Sequence, residues 1–473
     1  MLNFKHAHFV GIGGIGMSGI ARILLQMGHS VSGSDLKSSR ITQRLEDLGA
    51  TIYCGHSADN VPEDTDILVV SSAVPASNPE LLEAKRRNIQ IIGRGHMLSM
   101  LMQSTKGIAV AGTHGKTTTT SMVATILEAA NLHPTVVVGG ELNDIGSNAK
   151  LGEGSFLVAE ADESDASFID LSPYIAVITS IDPDVNLSTE AYADCGYDHD
   201  KTGARVEELF LKFAHQVSEN GFVVMCGDHP GVHSLIPRVK KRVVTYGLGE
   251  DNDIHADQIS FADYASRCRV IWHGKELGEL ILRVPGLHNI QNALAAIAIG
   301  LEIGLNFADI SRYMAAFRGV QRRFQILGEF DGVTIVDDYA HNPSKIKAAI
   351  KAAHTGEAKR VIVVFQPHRY TRTKFFKDEY CTIFGDADVL LVTDIYSAGE
   401  PPIEGVSSAL LTEGIRKFGQ PAQVFYTPTH ADILEYVRTN CRAGDIVLFV
   451  GAGDINKCAA RCAEFLTSQP SAC

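Results

Sequence analysis

The sequence predicts an α/β protein of three domains. These are a Rossmann-like N-terminal domain, a central parallel-sheet domain with a phosphate loop, and a Rossmann-like C-terminal domain. Three observations carry that expectation. Continuous apolar runs such as GIAVAG, YIAVITSI and KRVIVVFQPH alternate with helical stretches, as parallel strands covered on both faces require. Two separate glycine-rich turns each follow an apolar run and precede a helical one. Finally, 473 residues suffice for roughly three domains of about 150 residues each.

The elements follow in order. HAHFVGIGGIGMSGIARILLQMGHSVSGSD reads as strand, glycine turn, helix and strand. DILVVSSAV is a further buried strand and IQIIG a short one, giving a first domain over 1–104. GIAVAG opens the second domain, expected over 105–320, and runs into a glycine loop followed by the helical TTTTSMVATILEAAN. SFLVAEAD, YIAVITSI and GFVVMCGD are its next strands, and NIQNALAAIAIGLEIG is a helix of almost entirely apolar or small residues. VTIVDDYA is expected to open the third domain, 321–473, with KRVIVVFQPH, ADVLLVTDIY and DIVLFVGAG as later strands. There is no internal repeat, and only the tail SQPSAC has a disordered composition.

Composition narrows the function classes. The net charge of -13 supplies no global basic field for nucleic acid, although a local cluster of Lys, Arg and backbone N–H can still hold phosphate. No run approaches the roughly 20 apolar residues of a membrane span, and MLNFKHAHFVGIGG lacks a signal-peptide pattern. The nine cysteines are scattered without paired spacing, which fits reduced thiols in a cytoplasmic protein. Cys458 and Cys462 share a helical face, but nothing nearby in sequence completes a metal site.

The first glycine motif, GIGGIG, places Gly11, Gly13 and Gly16 in a G-x-G-x-x-G pattern, with Asp35 ending the next strand. In that context it is a diphosphate-binding fingerprint, with Gly11 for the turn and a helix N-terminus for the anion. It does not specify a nicotinamide cofactor. A tight turn that binds nothing is the alternative. The second motif, AGTHGKT, departs from the common phosphate loop, because Val110 stands where that pattern needs glycine. The strand–loop–helix context is nonetheless right. Backbone N–H groups can converge on phosphate, Lys116 can neutralise it, and Thr117 offers a hydroxyl to Mg²⁺.

GTHGKTT resembles the ATP loop of the Mur ligase family, which builds the peptide stem of the bacterial cell wall. SSAVPASNPE, EADESDASF, GLHNIQNALAA, RRFQ, DDYAHNP and QPHRYTR follow in the family's order over essentially the whole chain. The resemblance implies a central ATPase domain and an ATP-dependent ligase acting on UDP-N-acetylmuramate and L-alanine through an acyl phosphate. By that resemblance UDP lies over Gly11, Gly13, Gly14 and Gly16, with Ser34 and Asp35. ATP takes Gly112, Thr113, His114, Gly115, Lys116, Thr117 and Thr118, with His288, Asn289 and Asn292 on the adenine side and Arg323 and Asp338 from the third domain. Thr117 and Glu160 are the expected Mg²⁺ ligands. Tyr339, His341, Arg369 and Arg372 line the acyl-phosphate and amino-acid side, with Lys116, Glu160, Arg323 and His341 as the catalytic set. Each also has a plain reading, such as a helix cap at Asn289, a sheet-end ion pair at Glu160 or a solvated charge at the arginines.

One stretch departs from the family. After YIAVITSI the family carries Asp-His, and the His helps hold a second Mg²⁺, whereas this chain has DPDVNLSTEAYADCGYDHD with Val185 at that place. Asn186 or Asp184 supplies an oxygen instead, or His199 returns on the longer 185–205 segment, or the site is weakened. Rival readings are a muropeptide-recycling ligase within the family, a nicotinamide-dependent dehydrogenase, and a nucleotide-binding regulator without turnover. The dehydrogenase reading rests on Gly11–Gly16 and Asp35 and leaves the second loop unexplained. Monomer and homodimer are both compatible with the sequence.

Overall fold

A computed structural model describes residues 2–71, 73–142, 147–161, 167–182 and 202–467. The tail SQPSAC lies outside them. The chain divides into two compact units. The first comprises Met1–Ile259, Cys268–Ile281 and His288–Arg318 and holds two sheets.

Its smaller sheet contains β1 (His6–Val10), β2 (Ser30–Asp35), β3 (Thr51–Cys54), β4 (Ile67–Val70) and β5 (Gln90–Gly93), in the order β3-β2-β1-β4-β5. All pairings are parallel. The order reverses at β1, so the glycine turn after β1 stands at the C-terminal edge where such sheets bind ligands. Strand β1 is buried throughout although it carries two histidines. Both ring nitrogens of His8 are satisfied, Nδ1 by Ser32 Oγ at 2.8 Å and Nε2 by Glu80 Oε2 at 2.8 Å. Glu80 is itself fully buried and also bonds Ser34 Oγ and His56 Nδ1, each at 2.8 Å. Burial alone would raise its carboxyl, but the bonds from His8, Ser34 and His56 hold it below the usual carboxylate range.

The larger sheet runs β15-β14-β13-β12-β11-β10-β6-β9-β7-β8. Its strands are β6 (Lys106–Ala111), β7 (Thr135–Leu142), β8 (Ser147–Lys150), β9 (Phe156–Glu160), β10 (Ile175–Ile178), β11 (Phe222–Cys226), β12 (Arg242–Gly247), β13 (Ile254–Ala262), β14 (Ala265–Trp272) and β15 (Lys275–Leu282). From β7 to β13 the pairing is parallel. The sheet is thus mostly parallel, as expected, with antiparallel pairing added at both edges. Strand β8 pairs antiparallel with β7. Strands β13 to β15 form a meander through Asp263–Tyr264 and His273–Gly274, whose φ values of 50°, 56°, 47° and 74° are those of primed hairpin turns. The first of these turns contains no glycine, which hid it in the sequence. The helix Ile15–Gln26 packs on the β7–β8 hairpin, where a Cβ on Gly19 would meet Asn148, Ala149 and Val137 at 3.3–3.5 Å.

The second unit comprises Ser260–Arg267, Leu282–Leu287 and Gly319–Cys473. Its sheet is β16 (Gln325–Phe330), β17 (Val333–Asp338), β18 (Arg360–Phe365), β19 (Val389–Val392), β20 (Gln423–Tyr426) and β21 (Asp445–Val450), ordered β16-β17-β21-β18-β19-β20. VTIVDD does not open this sheet. It is preceded by β16, antiparallel to it across the turn Asp331–Gly332. The remaining pairings are parallel, and β21 lies between β17 and β18. Burial of nearly every residue of β18, β19 and β21 explains their unbroken apolar runs. Among the described residues no helix is long and apolar enough to cross a membrane.

Candidate functional site

Gly11 takes φ +82°, and its N–H donates to Ser34 O at 2.9 Å, closing the first glycine turn on β2. The helix Ile15–Gln26 then starts at Gly14 with no side-chain cap, as a helix end that receives an anion would. The Gly13 N–H donates to Asp35 Oδ2 at 2.9 Å, and a Cβ on Gly13 would lie 2.8 Å from that oxygen. A Cβ on Gly16 would lie 2.9 Å from Arg94 Nη1. Ser34 meets the loop only through its carbonyl, because its hydroxyl is fully buried on Glu80 and His56. His56 lies outside the sequence motifs, and Glu80, which closes SSAVPASNPE, joins it in this corner through a 2.8 Å bond.

The second loop leaves β6 with Gly112 at φ 137° and Gly115 at φ 82°, and the helix Lys116–Ala129 starts there without a side-chain cap. Lys116 Nζ donates to Gly112 O at 2.6 Å. Thr117 Oγ1 donates to Glu160 Oε2 at 2.9 Å, and the Gly139 N–H donates to the same oxygen at 2.9 Å. Thr118 is half-buried beside them. Asn289 and Asn292 are both buried on the helix Leu287–Glu302, and His288 is exposed on its first turn. Asn292 Oδ1 accepts from Thr119 Oγ1 at 3.2 Å and lies 2.6 Å from where a Cβ on Gly115 would be, so it braces the loop from behind.

A strap after β10 fastens the same loop. Thr113 N–H donates to Ser180 O at 3.1 Å, His114 N–H to Ser180 Oγ at 2.8 Å, and Asp182 N–H to Thr113 Oγ1 at 2.9 Å. The Thr179 hydroxyl bonds the His114 carbonyl. The Asp182 carboxylate takes His114 Nε2 at 3.0 Å and His229 Nε2 at 3.2 Å. These two bonds, His114 foremost, hold its carboxyl well below the usual carboxylate range. The sequence reading singled out neither Asp182 nor His229. Asp184, Val185, Asn186 and His199 lie outside the described residues.

In the second unit both oxygens of Asp338 accept backbone N–H groups, from Phe324 and Ala340, each at 2.7 Å. Burial raises its carboxyl above the usual range, against the pull of Arg323. Arg322 and Arg323 lie over the Tyr339 ring at 4.9 and 5.5 Å. Arg322 also clamps Asp337 at 3.2 Å and Gly451 O at 2.7 Å. His341 Nδ1 bonds Tyr339 O at 2.8 Å, and burial, reinforced by Arg372, holds its imidazole well below the usual range. Arg372 Nη1 donates to His368 Nδ1 at 2.7 Å, and His368 stacks on Tyr396. Burial and the neighbouring Arg372 lower His368 to about 4. His341 and Arg372 thus come together at His368, a residue next to Arg369 that the motif QPHRYTR contains, with Tyr339 edge-on to His341. Arg369 instead reaches toward Glu400, at 3.7 Å.

Among the described residues no group of three or more His, Cys, Asp or Glu could hold a metal. The donor set beside Lys116, one hydroxyl and one carboxylate, suits Mg²⁺, which takes oxygen ligands and completes its shell with phosphate and water.

Three family descriptions match the chain in order. They are "Mur ligase family, catalytic domain" at 6–106, "Mur ligase middle domain" at 110–300, and "Mur ligase, glutamate ligase domain" at 322–453. The UDP-N-acetylmuramate–L-alanine ligase of Syntrophotalea carbinolica is 49% identical over 97% of both chains. That of Geotalea daltonii is 48% identical over 98% of this chain and 99% of its own. The crystal structure of the UDP-N-acetylmuramate–alanine ligase of Thermotoga maritima superposes with a TM-score of 0.80 at 29% identity, over 98% of this chain and 99% of that one.

Proposed function

The chain belongs to the Mur ligase family, and from that premise we propose that it joins L-alanine to the carboxylate of UDP-N-acetylmuramate, converting ATP to ADP and phosphate. The observation that carries this reading is the second loop. Lys116 and the Thr117–Glu160 pair stand at an open helix N-terminus, in a different sheet from the first glycine turn. Two loops in two sheets call for two phosphate-bearing ligands.

The chemistry assigns the roles. A carboxylate resists attack by an amine because its oxygen does not leave. Transfer of the terminal phosphoryl group converts it to an acyl phosphate, whose phosphate does leave when the L-alanine amine attacks. Both steps gather negative charge, so cations and positioned N–H groups stabilise them. In this proposal residues 1–104 hold the UDP-sugar over Gly11–Gly16, 105–320 hold ATP over Gly112–Thr118, and 321–473 serve the amino acid. Lys116 neutralises the terminal phosphates, and Arg323 adds charge to the transferred group. Thr117 and Glu160 hold Mg²⁺, which when bound neutralises phosphate charge. Tyr339, His341 and Arg372 face the acyl phosphate and L-alanine, and Asn289 and Asn292 support the nucleotide side. The reaction is placed in the cytoplasm, where ATP and nucleotide sugars meet.

The test is phosphate release from ATP with each substrate omitted in turn, across a Mg²⁺ titration. Release that needs both UDP-N-acetylmuramate and L-alanine is expected. Binding of both nucleotides without release would overturn the reading.

A further inference from the structure

We propose that His229 is a positioning residue for the ATP loop, acting through Asp182 on His114. The inference rests on the reading of Gly112–Thr118 as the ATP site.

The loop needs outside support. Two of its residues, Gly112 and Gly115, sit at positive φ, and its N–H groups can converge on phosphate only in that shape. The strap 179–182 supplies most of the support, through four hydrogen bonds to Thr113 and His114. The Asp182 side chain adds a fifth contact, to the His114 ring. That contact carries a liability. Asp182 is a carboxylate beside a site for polyphosphate, and an incompletely bonded carboxylate there would repel the ligand or swing off His114.

His229 removes the liability. Its Nδ1 faces the Ile181 N–H at 3.5 Å, which leaves Nε2 to carry the hydrogen and donate to Asp182 Oδ1 at 3.2 Å. Each carboxylate oxygen therefore has its own imidazole, and Asp182 has one orientation in which both are met. His229 is placed by the turn GDHPG, residues 227–231. That turn can approach the strap because a Cβ on Gly231 would lie only 2.5 Å from Ile181 O. His229 does not itself touch the loop. It holds the residue that does.

The test compares His229→Leu with His229→Gln in the full chain. Glutamine can place an amide donor near the Nε2 position, and leucine cannot. The readouts are the KM for ATP, the KM for UDP-N-acetylmuramate, kcat, and ATP binding without other substrates. For His229→Leu the ATP KM and dissociation constant should rise about ten-fold, with kcat within about three-fold and the nucleotide-sugar KM unchanged. His229→Gln should recover most of the loss. An unchanged ATP KM in His229→Leu overturns the proposal. So does equal impairment of both variants, or a parallel rise in both KM values, which would mark general destabilisation. The parent protein separates the two claims. If its ligation needs no ATP, the reading of the loop fails. If it needs ATP and His229→Leu leaves the ATP KM unchanged, only the role of His229 fails.

Discussion

Replacing Gly139 with alanine sets a Cβ 2.6 Å from Glu160 Oε2 and 3.0 Å from its carboxyl carbon. The backbone at Gly139 accepts alanine, so the clash falls on the Glu160 side chain. Ordinary contact begins near 3.4 Å, so the carboxylate must retreat by about 0.8 Å. In doing so it gives up the Gly139 N–H and moves against Thr117, each now 2.9 Å away. The lost hydrogen bond costs about 1 kcal/mol of stability, too little to unfold the chain. The cost to catalysis is larger. Mg²⁺ demands near-ideal octahedral distances, and a misplacement of about 1 Å can lower a rate about 100-fold. We therefore expect kcat to fall about 30-fold to 100-fold, with the Mg²⁺ midpoint displaced upward and the nucleotide-sugar KM unchanged. ADP formation over a Mg²⁺ titration at saturating substrates measures this. A variant whose kcat and Mg²⁺ midpoint both stay within about two-fold of the parent would refute the assignment of Glu160 as the metal-side carboxylate held by Gly139.

Two further outcomes follow from other parts of the fold. Gly13→Ala drives a Cβ to 2.8 Å from Asp35 Oδ2 and should open the first turn, raising the dissociation constant for the nucleotide sugar about ten-fold while ATP binding stays as in the parent; equilibrium binding of each ligand decides it, and equal affinity for the sugar counts against that turn as its site. Burial raises the Asp337 carboxyl to about 6, against Arg322 and with help from Asp338, so the folded chain holds an extra proton between about pH 4 and 6. The stability this group contributes is complete below about pH 4 and is lost as pH rises through 6, roughly two pKa steps or about 3 kcal/mol. Asp337→Asn should remove this group's downward contribution to Tm between about pH 4 and 6, and an unaltered slope there would contradict the account.

Much of the parallel architecture was legible because buried strands leave unbroken apolar runs. VLLV of β19 and DIVLFV of β21 face no solvent, and their sequences say so. The meander β13–β15 was harder to read: QISF and RCRV do alternate polar and apolar residues, but the first turn, Asp263–Tyr264, lacks the glycine that marks the usual primed pairs. At the site, glycine spacing and the adjoining Lys-Thr disclosed both loops because their chemistry is local. Asp182 stayed hidden because it lies 68 residues from His114, and His229 because it lies a further 47 from Asp182, so the three join only in the folded chain. Ser34 shows the reverse. The family resemblance sets it on the UDP side, while the fold turns its hydroxyl inward to Glu80.

Glu80 gathers His8, Ser34 and His56 around one fully buried carboxylate. Removing one partner of a buried charge costs about 3–5 kcal/mol, whereas replacing charge and partners together by apolar groups can cost nothing. Substitutions at these four positions must therefore be epistatic. His8→Phe alone takes one bond from the carboxylate and leaves an apolar ring against it, yet the same change beside Glu80→Met meets a hydrophobic neighbour. A variant that alters this corner one residue at a time meets that deficit, and one that changes charge and partner together avoids it, so the four side chains act as a single unit.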